Sequence, residues 1–238
     1  MKINAKNIEY RELNQLIKKS KGDITIDNCI GQRYIASGLS NKKIKINGTP
    51  GNALGAYLDG AEITVLGNVQ DATGDTMNDG KIIVHGSAGD ALGYAMRGGR
   101  IYVRGHAGYR TGIHMKEYET KKPVIIVGES AGSFLGEYLA GGILVVLGLS
   151  GTGMVVGNFP GTGMHGGKIL LRGNRIPQSL PPQISISPIE KGNFGEVETY
   201  LREYCEVFSL DYEGITKEPF FILKPNSSNP YHQMYVTN

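Results

Sequence analysis

Two aspartates, Asp71 and Asp90, have the spacing in this sequence that most resembles catalytic chemistry. They lie nineteen residues apart, and each stands three residues before a glycine, Gly74 or Gly93. If the chain coils with that period, the two carboxylates lie on adjacent coils. One carboxylate would then raise the pKa of the other, as in the acid pair of a glycosidase. The spacing therefore permits a carbohydrate-active enzyme.

The same two aspartates also have a structural interpretation. Asp and Asn at turns usually accept hydrogen bonds from the backbone of the turn. No obvious Lys or Arg base accompanies the acidic pair in the sequence. We therefore expect Asp71 and Asp90 to support the fold, and catalysis at this pair is the alternative.

The remaining candidate ligands do not form a metal or cofactor pattern. Cys29 and Cys205 are the two cysteines, which excludes a four-cysteine metal or iron–sulfur site within this chain and suits a reducing cytosol. The histidines show no metal-ligand spacing. They are His85, His106, His114, His165 and His232. We expect no catalytic, cofactor-binding or metal-binding residue in this chain.

The charge balance argues against two classes of partner. The chain has 25 basic and 22 acidic residues, a net charge of +3, which is too even to favour nucleic acid or a membrane surface. No apolar run approaches the roughly eighteen residues of a membrane span, and residues 1–21 lack the apolar core of a signal peptide. We expect a cytoplasmic protein.

The element that must position all these residues is a glycine repeat with a period of about nineteen residues. In its regular units a first glycine closes a short β-type run, and a second glycine follows seven residues later. A fixed period of this size predicts a stack of similar units, none of which buries its apolar face alone. The repeat glycines are Gly48, Gly55, Gly67, Gly74, Gly86, Gly93, Gly105, Gly112, Gly128, Gly136, Gly148, Gly161 and Gly173.

Apolar residues occupy fixed positions relative to these glycines. Pairs such as Ile44/Ile46 lie two and four residues before the first glycine, and the same count selects Val124/Ile126 before Gly128. A second apolar column, from Leu58 to Met164, comes three residues after the second glycine. Because strand side chains alternate between faces, the two columns point at each other. We predict an all-β fold, a single-stranded right-handed parallel β-helix of seven or eight coils of about 19–20 residues over 22–175.

The segments on either side of the repeat have a different composition. Residues 1–21 predict a capping helix that covers the unpaired first coil. Residues 176–238 form a proline-rich tail with one amphipathic helix at about 195–210. The apolar stripe of that helix needs a partner surface, and we expect it to dock on the solenoid.

The outward side of the predicted strands is polar early in the repeat and apolar late. The late outward residues are expected to be Ile125, Val127, Val145, Leu147 and Leu170. A contiguous apolar patch on an outer face is normally covered. Either the chain's own tail or a partner subunit can cover it, and the sequence leaves both open.

The repeat is interrupted twice, by four extra residues before Val124 and by six extra residues between Gly148 and Gly161. Insertions leave a solenoid as surface loops and often contact partners, although simple tolerated length variation is the alternative. The candidate contact residues on them are Lys116, Glu117, Tyr118, Met154 and Val155.

Five short runs resemble the GXGXG region of glutamate synthase, the C-terminal domain of its large (alpha) subunit. They are the runs at 74–80, 112–118, 135–142, 146–149 and 161–167. The resemblance covers roughly residues 22–175. As a separate chain, the sequence is similar to the stand-alone "domain 3" form. The C component of formylmethanofuran dehydrogenase is a related relative that shares the glycine repeat.

The resemblance implies a right-handed parallel β-helix without a catalytic residue. In that family the nucleophilic cysteine belongs to a glutaminase domain, and the FMN and iron–sulfur cluster belong to a synthase domain. The expected partners are therefore glutaminase and FMN/iron–sulfur subunits, with self-association left open. The alternatives are a formylmethanofuran dehydrogenase component and an autonomous carbohydrate-active enzyme that uses Asp71 and Asp90.

Overall fold

The computed structural model describes residues 1–151 and 153–226. They form one eleven-stranded sheet in the order β1-β2-β3-β4-β5-β6-β7-β8-β9-β11-β10, with three short helices. The strands are β1 Lys2–Asn4, β2 Ile24–Ile30, β3 Lys43–Thr49, β4 Asp59–Val65, β5 Asp79–Val84, β6 Arg100–Val103, β7 Val124–Val127, β8 Ala140–Val146, β9 Gly166–Arg172, β10 Ile184–Pro188 and β11 Phe220–Pro225. The helices are α1 Tyr10–Lys19, α2 Val197–Phe208 and α3 Tyr212–Thr216.

Strands β2 to β9 stack in parallel, one strand per coil. Equivalent residues lie side by side, since Ile44 pairs with Ile63, Ile63 with Ile82, and Ile82 with Ile101. Such in-register stacking of parallel strands is what the nineteen-residue period predicts. The all-β solenoid prediction is confirmed.

The interior of the solenoid is filled by the two predicted apolar columns. Ile63 and Val65 are fully buried, as are Met77 and Met96 on the opposite side. Full burial of one such side chain contributes about 1.5–3 kcal/mol, and every coil supplies several of them. The stack therefore holds together through side chains that a single coil could not bury.

The inward residues of β7 differ from the prediction. The count from Gly128 placed Val124 and Ile126 inside, but Ile125 and Val127 occupy the interior because they pair with Ile101 and Val103. In this coil the strand ends directly before its glycine, which moves the inward set by one residue. All four residues of β7 are apolar, so the sequence shows no alternation that would reveal the shift.

The return path of each coil is a ribbon in which alternate residues have positive φ. In the third coil, for example, Ala72, Gly74 and Thr76 have φ of 55°, 72° and 50°. The middle residue faces the interior, and the outer two face outward. We call the outward side of these segments the ribbon face; they are 34–38, 53–57, 72–76, 91–95, 110–114, 134–138 and 159–163.

The two sets of repeat glycines answer different physical demands. Gly67, in the first set, allows close stacking, because a Cβ there would lie 2.5 Å from the carbonyl oxygen of Gly48. Gly55, in the second set, has φ of 65°, and a Cβ there would lie 2.7 Å from Ile82 Cδ1 in the core. Only glycine meets both conditions at Gly55 without strain.

Both ends of the solenoid are closed by chain that lies outside the repeat. At the first end β1 adds a parallel strand beside β2, and α1 buries Leu13 and Ile17 in the core cluster. The predicted capping segment 1–21 thus contains a strand as well as a helix. At the other end β11 pairs antiparallel with β9 and with β10, which interrupts the parallel stack.

The tail contains more structure than one helix. The helix expected at 195–210 spans Val197–Phe208, and β10, α3 and β11 were not predicted. The hydrogen-bond partners of β10 and β11 are distant in sequence, so local patterns gave no sign of their pairing. Residues 227–238 of the predicted tail lie outside the described residues.

Candidate interaction surfaces

The outer face of the late strands is covered by the chain's own tail. Val145, Leu147 and Leu170 are outward and buried, and they share a cluster with Val197 and Leu201 of α2. Ile125 and Val127, which were predicted to lie on this face, belong instead to the interior cluster. Val124 and Ile126 take their place beneath the tail. These strand residues are therefore covered by the chain's own tail, which answers the question that the sequence left open for them.

A charged group on α2 fixes the tail to the sheet. Glu203 accepts hydrogen bonds from Arg100 and from the Tyr102 hydroxyl, at 2.9 and 2.8 Å, and lies 2.5 Å from Lys81 Nζ. Burial alone would raise the pKa of Glu203, but the bonds from Lys81 and Tyr102 and the Arg100 charge outweigh it and hold the pKa below its ordinary value. The carboxylate therefore stays ionised while it links three strand residues.

Two tyrosines extend this contact into the apolar cluster. The rings of Tyr102 and Tyr204 meet edge to face, 5.7 Å apart, and the Tyr204 hydroxyl donates to the Val103 carbonyl at 3.0 Å. Burial raises the pKa of both phenols. Burial also raises the pKa of the Cys29 and Cys205 thiols to about 11, so neither sulfur is a nucleophile at neutral pH.

The first insertion binds back onto the protein. Glu117 Oε1 accepts from the Gly142 amide at 3.1 Å, and Lys122 pairs with Glu196 at the start of α2. Glu196 also binds Lys168 of β9 at 2.5 Å. Lys116, Glu117 and Tyr118 are exposed in this loop. The insertion thus connects the solenoid to the tail, and its remaining exposed residues stay candidate contacts.

The second insertion is only partly exposed. Met154 is exposed, whereas Val155 is partly buried and packs against the interior cluster. The Ser150 amide donates to Glu129 Oε2 at 3.0 Å. Of the two predicted contact residues in this loop, Met154 is the one that faces outward.

Asp71 and Asp90 are hydrogen-bond acceptors in a ladder between coils. Asp71 Oδ1 accepts from the amide of Asp90 at 2.9 Å, and Asp90 Oδ1 accepts from the amide of Tyr109 at 2.8 Å. Ser133 continues the pattern by accepting from the Asn158 amide at 3.0 Å. Each side chain satisfies a backbone donor of the following coil, which is the structural interpretation of this column.

The ribbon face holds a cluster of large side chains that the sequence interpretation missed. The rings of His114 and Tyr138 stack in parallel at 5.0 Å, and Tyr94 meets His114 edge to face at 5.8 Å. Beside them, the Arg110 guanidinium lies 5.4 Å from the centre of the Phe134 ring, which in turn lies 5.6 Å from that of Phe159. We call these six residues the ring cluster.

The ring cluster contacts one ion pair, which adds no net charge to the surface. Arg110 Nε donates to Glu137 Oε2 at 2.9 Å, and the Glu137 side chain is 12% exposed. The pair neutralises the one permanent positive charge in the cluster. The surface is therefore aromatic and close to neutral.

Five members of the cluster have left-handed backbone conformations. Their φ values are 56° at Arg110, 55° at His114, 61° at Phe134, 54° at Tyr138 and 57° at Phe159. A left-handed conformation costs a residue with a side chain roughly 1–2 kcal/mol. The equivalent positions of earlier coils mostly hold smaller residues, among them Ala53, Ala72, Thr76, Ala91 and Ala95. In the sequence, these five members of the cluster lie two positions before or after a second glycine of the repeat.

The described part of the chain contains neither a cluster of three metal-ligating side chains nor a helix that could span a membrane. His85 packs edge to face with Phe208, and His106 Nδ1 lies 2.9 Å from Ser130 Oγ. These contacts are local and do not bring the histidines together.

Comparison with known proteins identifies the family. A sequence model of the GXGXG motif matches residues 8–217. The uncharacterized protein MJ1350 of Methanocaldococcus jannaschii is 41% identical over 249 aligned positions, covering 98% of this chain and 95% of that protein. A chain in the crystal structure of the formyltransferase/hydrolase complex (FhcABCD) of Methylorubrum extorquens with methylofuran is similar in fold, with a TM-score of 0.62 at 19% identity, covering 91% of this chain and 87% of that one. The chain described here belongs to the GXGXG family, the family of the glutamate synthase C-terminal domain.

Proposed function

We propose that this chain is a non-catalytic structural subunit of a glutamate synthase-like complex. It would pack against a glutaminase subunit and an FMN- and iron–sulfur-containing synthase subunit, and would hold them in register while ammonia passes between them. Its place in metabolism would be glutamate biosynthesis. The observation that carries the proposal is the family match, which extends over residues 8–217 of the 238 in the chain.

The roles of the titratable side chains support this proposal. Asp71 and Asp90, the best-spaced catalytic candidates, are occupied as acceptors for backbone amides. Glu203, which binds three side chains, and Glu196, which binds two, hold the tail against the sheet. A stiff stack closed at both ends suits a subunit that positions others, because interdomain transfer of ammonia depends on fixed geometry.

The experiment is a reconstitution with subunit omission. The glutaminase and synthase chains of the same organism are purified and assayed for glutamate formation from glutamine, with and without this chain. We expect omission to abolish glutamine-dependent synthesis but to leave ammonia-dependent synthesis and glutamine hydrolysis intact. Loss of either partial reaction on omission would indicate a catalytic contribution, and unchanged coupled synthesis would contradict the structural role.

A second candidate is membership of a complex that handles formyl groups, with a role similar to that of the C component of formylmethanofuran dehydrogenase. The fold likeness to a chain of a formyltransferase/hydrolase complex favours it. Purification of the tagged chain from its native cell separates the two candidates. A co-purifying glutaminase and flavin-containing chain supports the first, whereas co-purifying formyl-transferring chains support the second.

A further inference from the structure

The fold does not explain why the ring cluster consists of large side chains. The outer face of the late strands, which we call the sheet face, is covered by α2; its apolar residues are Tyr102, Val124, Ile126, Ile143, Val145, Leu147 and Leu170. The two ends of the solenoid are covered by α1, β1, β10 and β11. Over the described residues, α1 meets the ribbon face at its first segment, where the Tyr10 and Tyr34 rings lie 6.1 Å apart, but no helix or added strand covers the ring cluster. Phe159 and Tyr94 remain 47% and 40% exposed there. Most of the same positions in earlier coils hold glycine, alanine or threonine, although Tyr34 and Tyr57 are rings, so the fold itself does not require rings at these sites.

The cost of these rings points to a function outside the chain. Bulky residues with positive φ are outliers, and outliers that the fold does not need are a reason to look for a function. Tyrosine, phenylalanine and arginine are also the residue types enriched in protein–protein interfaces. The cluster therefore has the composition of an interface, and none of the residues at 1–151 or 153–226 forms a helix or strand that covers it.

The size and the charge of the ring cluster limit which kinds of molecule could bind to it. The cluster extends over four coils, about 15 Å along the solenoid axis and about 12 Å across, so its footprint is on the order of 200 Å². This is far less than the roughly 800 Å² per partner of a stable protein–protein interface, so a protein partner must also contact the surface around the cluster. Because Glu137 neutralises Arg110, the surface also lacks the positive charge that nucleic acid requires.

We propose that the ring cluster is the docking site for an uncharged, apolar surface of another protein subunit, which continues from the cluster onto neighbouring faces of the solenoid. The proposal rests on the proposed function, which supplies the partner as the glutaminase–synthase pair. The rings form the centre of the contact, and the polar residues around them are complementary to the edge of the partner surface.

Glycine substitutions test the proposal without removing structure that the solenoid needs. Phe134→Gly and Tyr138→Gly remove one ring from each stack and relieve the left-handed strain at the same time. Tyr57→Gly is the matched control, since Tyr57 is an exposed ring at φ of 57° in an early coil. Each chain is titrated against the purified glutaminase–synthase pair by biolayer interferometry, and its thermal midpoint is measured separately.

We expect Phe134→Gly and Tyr138→Gly each to weaken binding about 30-fold, the factor that corresponds to a 2 kcal/mol contact. Their thermal midpoints should stay unchanged or rise, and Tyr57→Gly should bind like the wild type. Equal binding by all four chains would overturn the assignment of this surface. Lost binding accompanied by a large drop in thermal midpoint would overturn it too, because it would show that the rings stabilise the solenoid.

Two further outcomes separate this inference from the function on which it rests. If the wild-type chain does not bind the pair, the proposed function and this choice of occupant both fail. If sedimentation shows a wild-type dimer that Phe134→Gly dissociates, a second copy occupies the surface, and the choice of a different subunit is wrong.

Discussion

The sheet face and the ribbon face both carry aromatic side chains on the late coils, but only the sheet face is covered. On the sheet face Tyr102 is fully buried beneath α2. On the ribbon face Phe159 is 47% exposed, with no tail element above it among the described residues. Over the part of the chain that the structure describes, the tail covers one aromatic surface and not the other.

The two faces also differ in backbone conformation. Residues on the sheet face have ordinary extended geometry, where large side chains are favourable. Residues on the ribbon face alternate through left-handed conformations, where only glycine is free of strain. Rings at Phe134 and Tyr138 therefore work against local preference, whereas Tyr102 agrees with it. The backbone conformation therefore distinguishes side chains that stabilise the fold from side chains that the fold does not require.

The largest effect is expected on the inner side of the ribbon. Gly93→Ala places a Cβ against Ile125 Cδ1 in the filled core at φ of 66°, and we expect it to lower the free energy of unfolding by about 2–4 kcal/mol. Gly22→Ala is the control, since Gly22 has φ of 72° but nothing within 4 Å of the added Cβ. Its cost should be the left-handed strain alone, about 1 kcal/mol. Urea unfolding of both variants measures the difference, and equal losses would show that the interior is not tightly packed at Gly93.

A smaller loss is expected where the tail meets the sheet. Glu203→Gln removes the charge that faces Lys81 and Arg100, and we expect a loss of about 2 kcal/mol in the free energy of unfolding. Glu206→Gln changes an exposed residue of the same helix and should cost less than about 0.5 kcal/mol. Faster hydrogen exchange over 197–208 in Glu203→Gln would locate the effect. A variant as stable as the wild type would mean that apolar contacts alone hold α2.

Acid should weaken the same contact. The folded pKa of Glu203 lies below its ordinary value of 4.5, so its contribution is complete above pH 4.5 and disappears as the pH falls through the lowered pKa. Glu196 has the same sign, because hydrogen bonds from Lys122 and Lys168 lower its pKa. We expect helix 197–208 to lose protection below pH 4.5, and to do so less steeply in Glu203→Gln. A pH-independent helix would contradict the role of these carboxylates.

The smallest effect on stability is expected on the outer side of the ribbon. Phe159→Gly relieves a φ of 57° and removes one partner of the Phe134 ring, two changes of opposite sign. We expect the free energy of unfolding to change by no more than about 1 kcal/mol. Calorimetry of this variant beside Gly93→Ala compares the two sides of one ribbon. A loss as large as that of Gly93→Ala would place Phe159 among the residues that build the fold.

The sequence predicts the residues of the core better than the residues of the surface. The repeat revealed the stacked coils because glycine and apolar residues recur at positions fixed by core contacts, such as Gly74 and Met77. It misplaced the β7 residues because four consecutive apolar side chains carry no alternation. Strands β10 and β11 could not be predicted, since the pairing of β11 with β9, and of β10 with β11, is decided by tertiary contact.

The candidate surfaces were predicted less well than the fold. Val145, Leu147 and Leu170 were correctly placed outward, but the sequence could not decide between the tail and a partner as their cover. The ring cluster was overlooked because five of its six members align only when residues two before and two after each second glycine are compared, and Tyr94 directly follows Gly93. Arg110 and His114 lie in those columns, where side-chain identity is not constrained by the core.

The most direct test of the account is oxidative footprinting of the chain alone and in its complex with the glutaminase–synthase pair. We predict that Phe159, Phe134 and Tyr94 become protected in the complex, whereas Tyr57 is oxidised equally in both states. Protection confined to the early coils or to α2, with the ring cluster oxidised as in the free chain, would contradict the claim that the uncovered face is the one that binds.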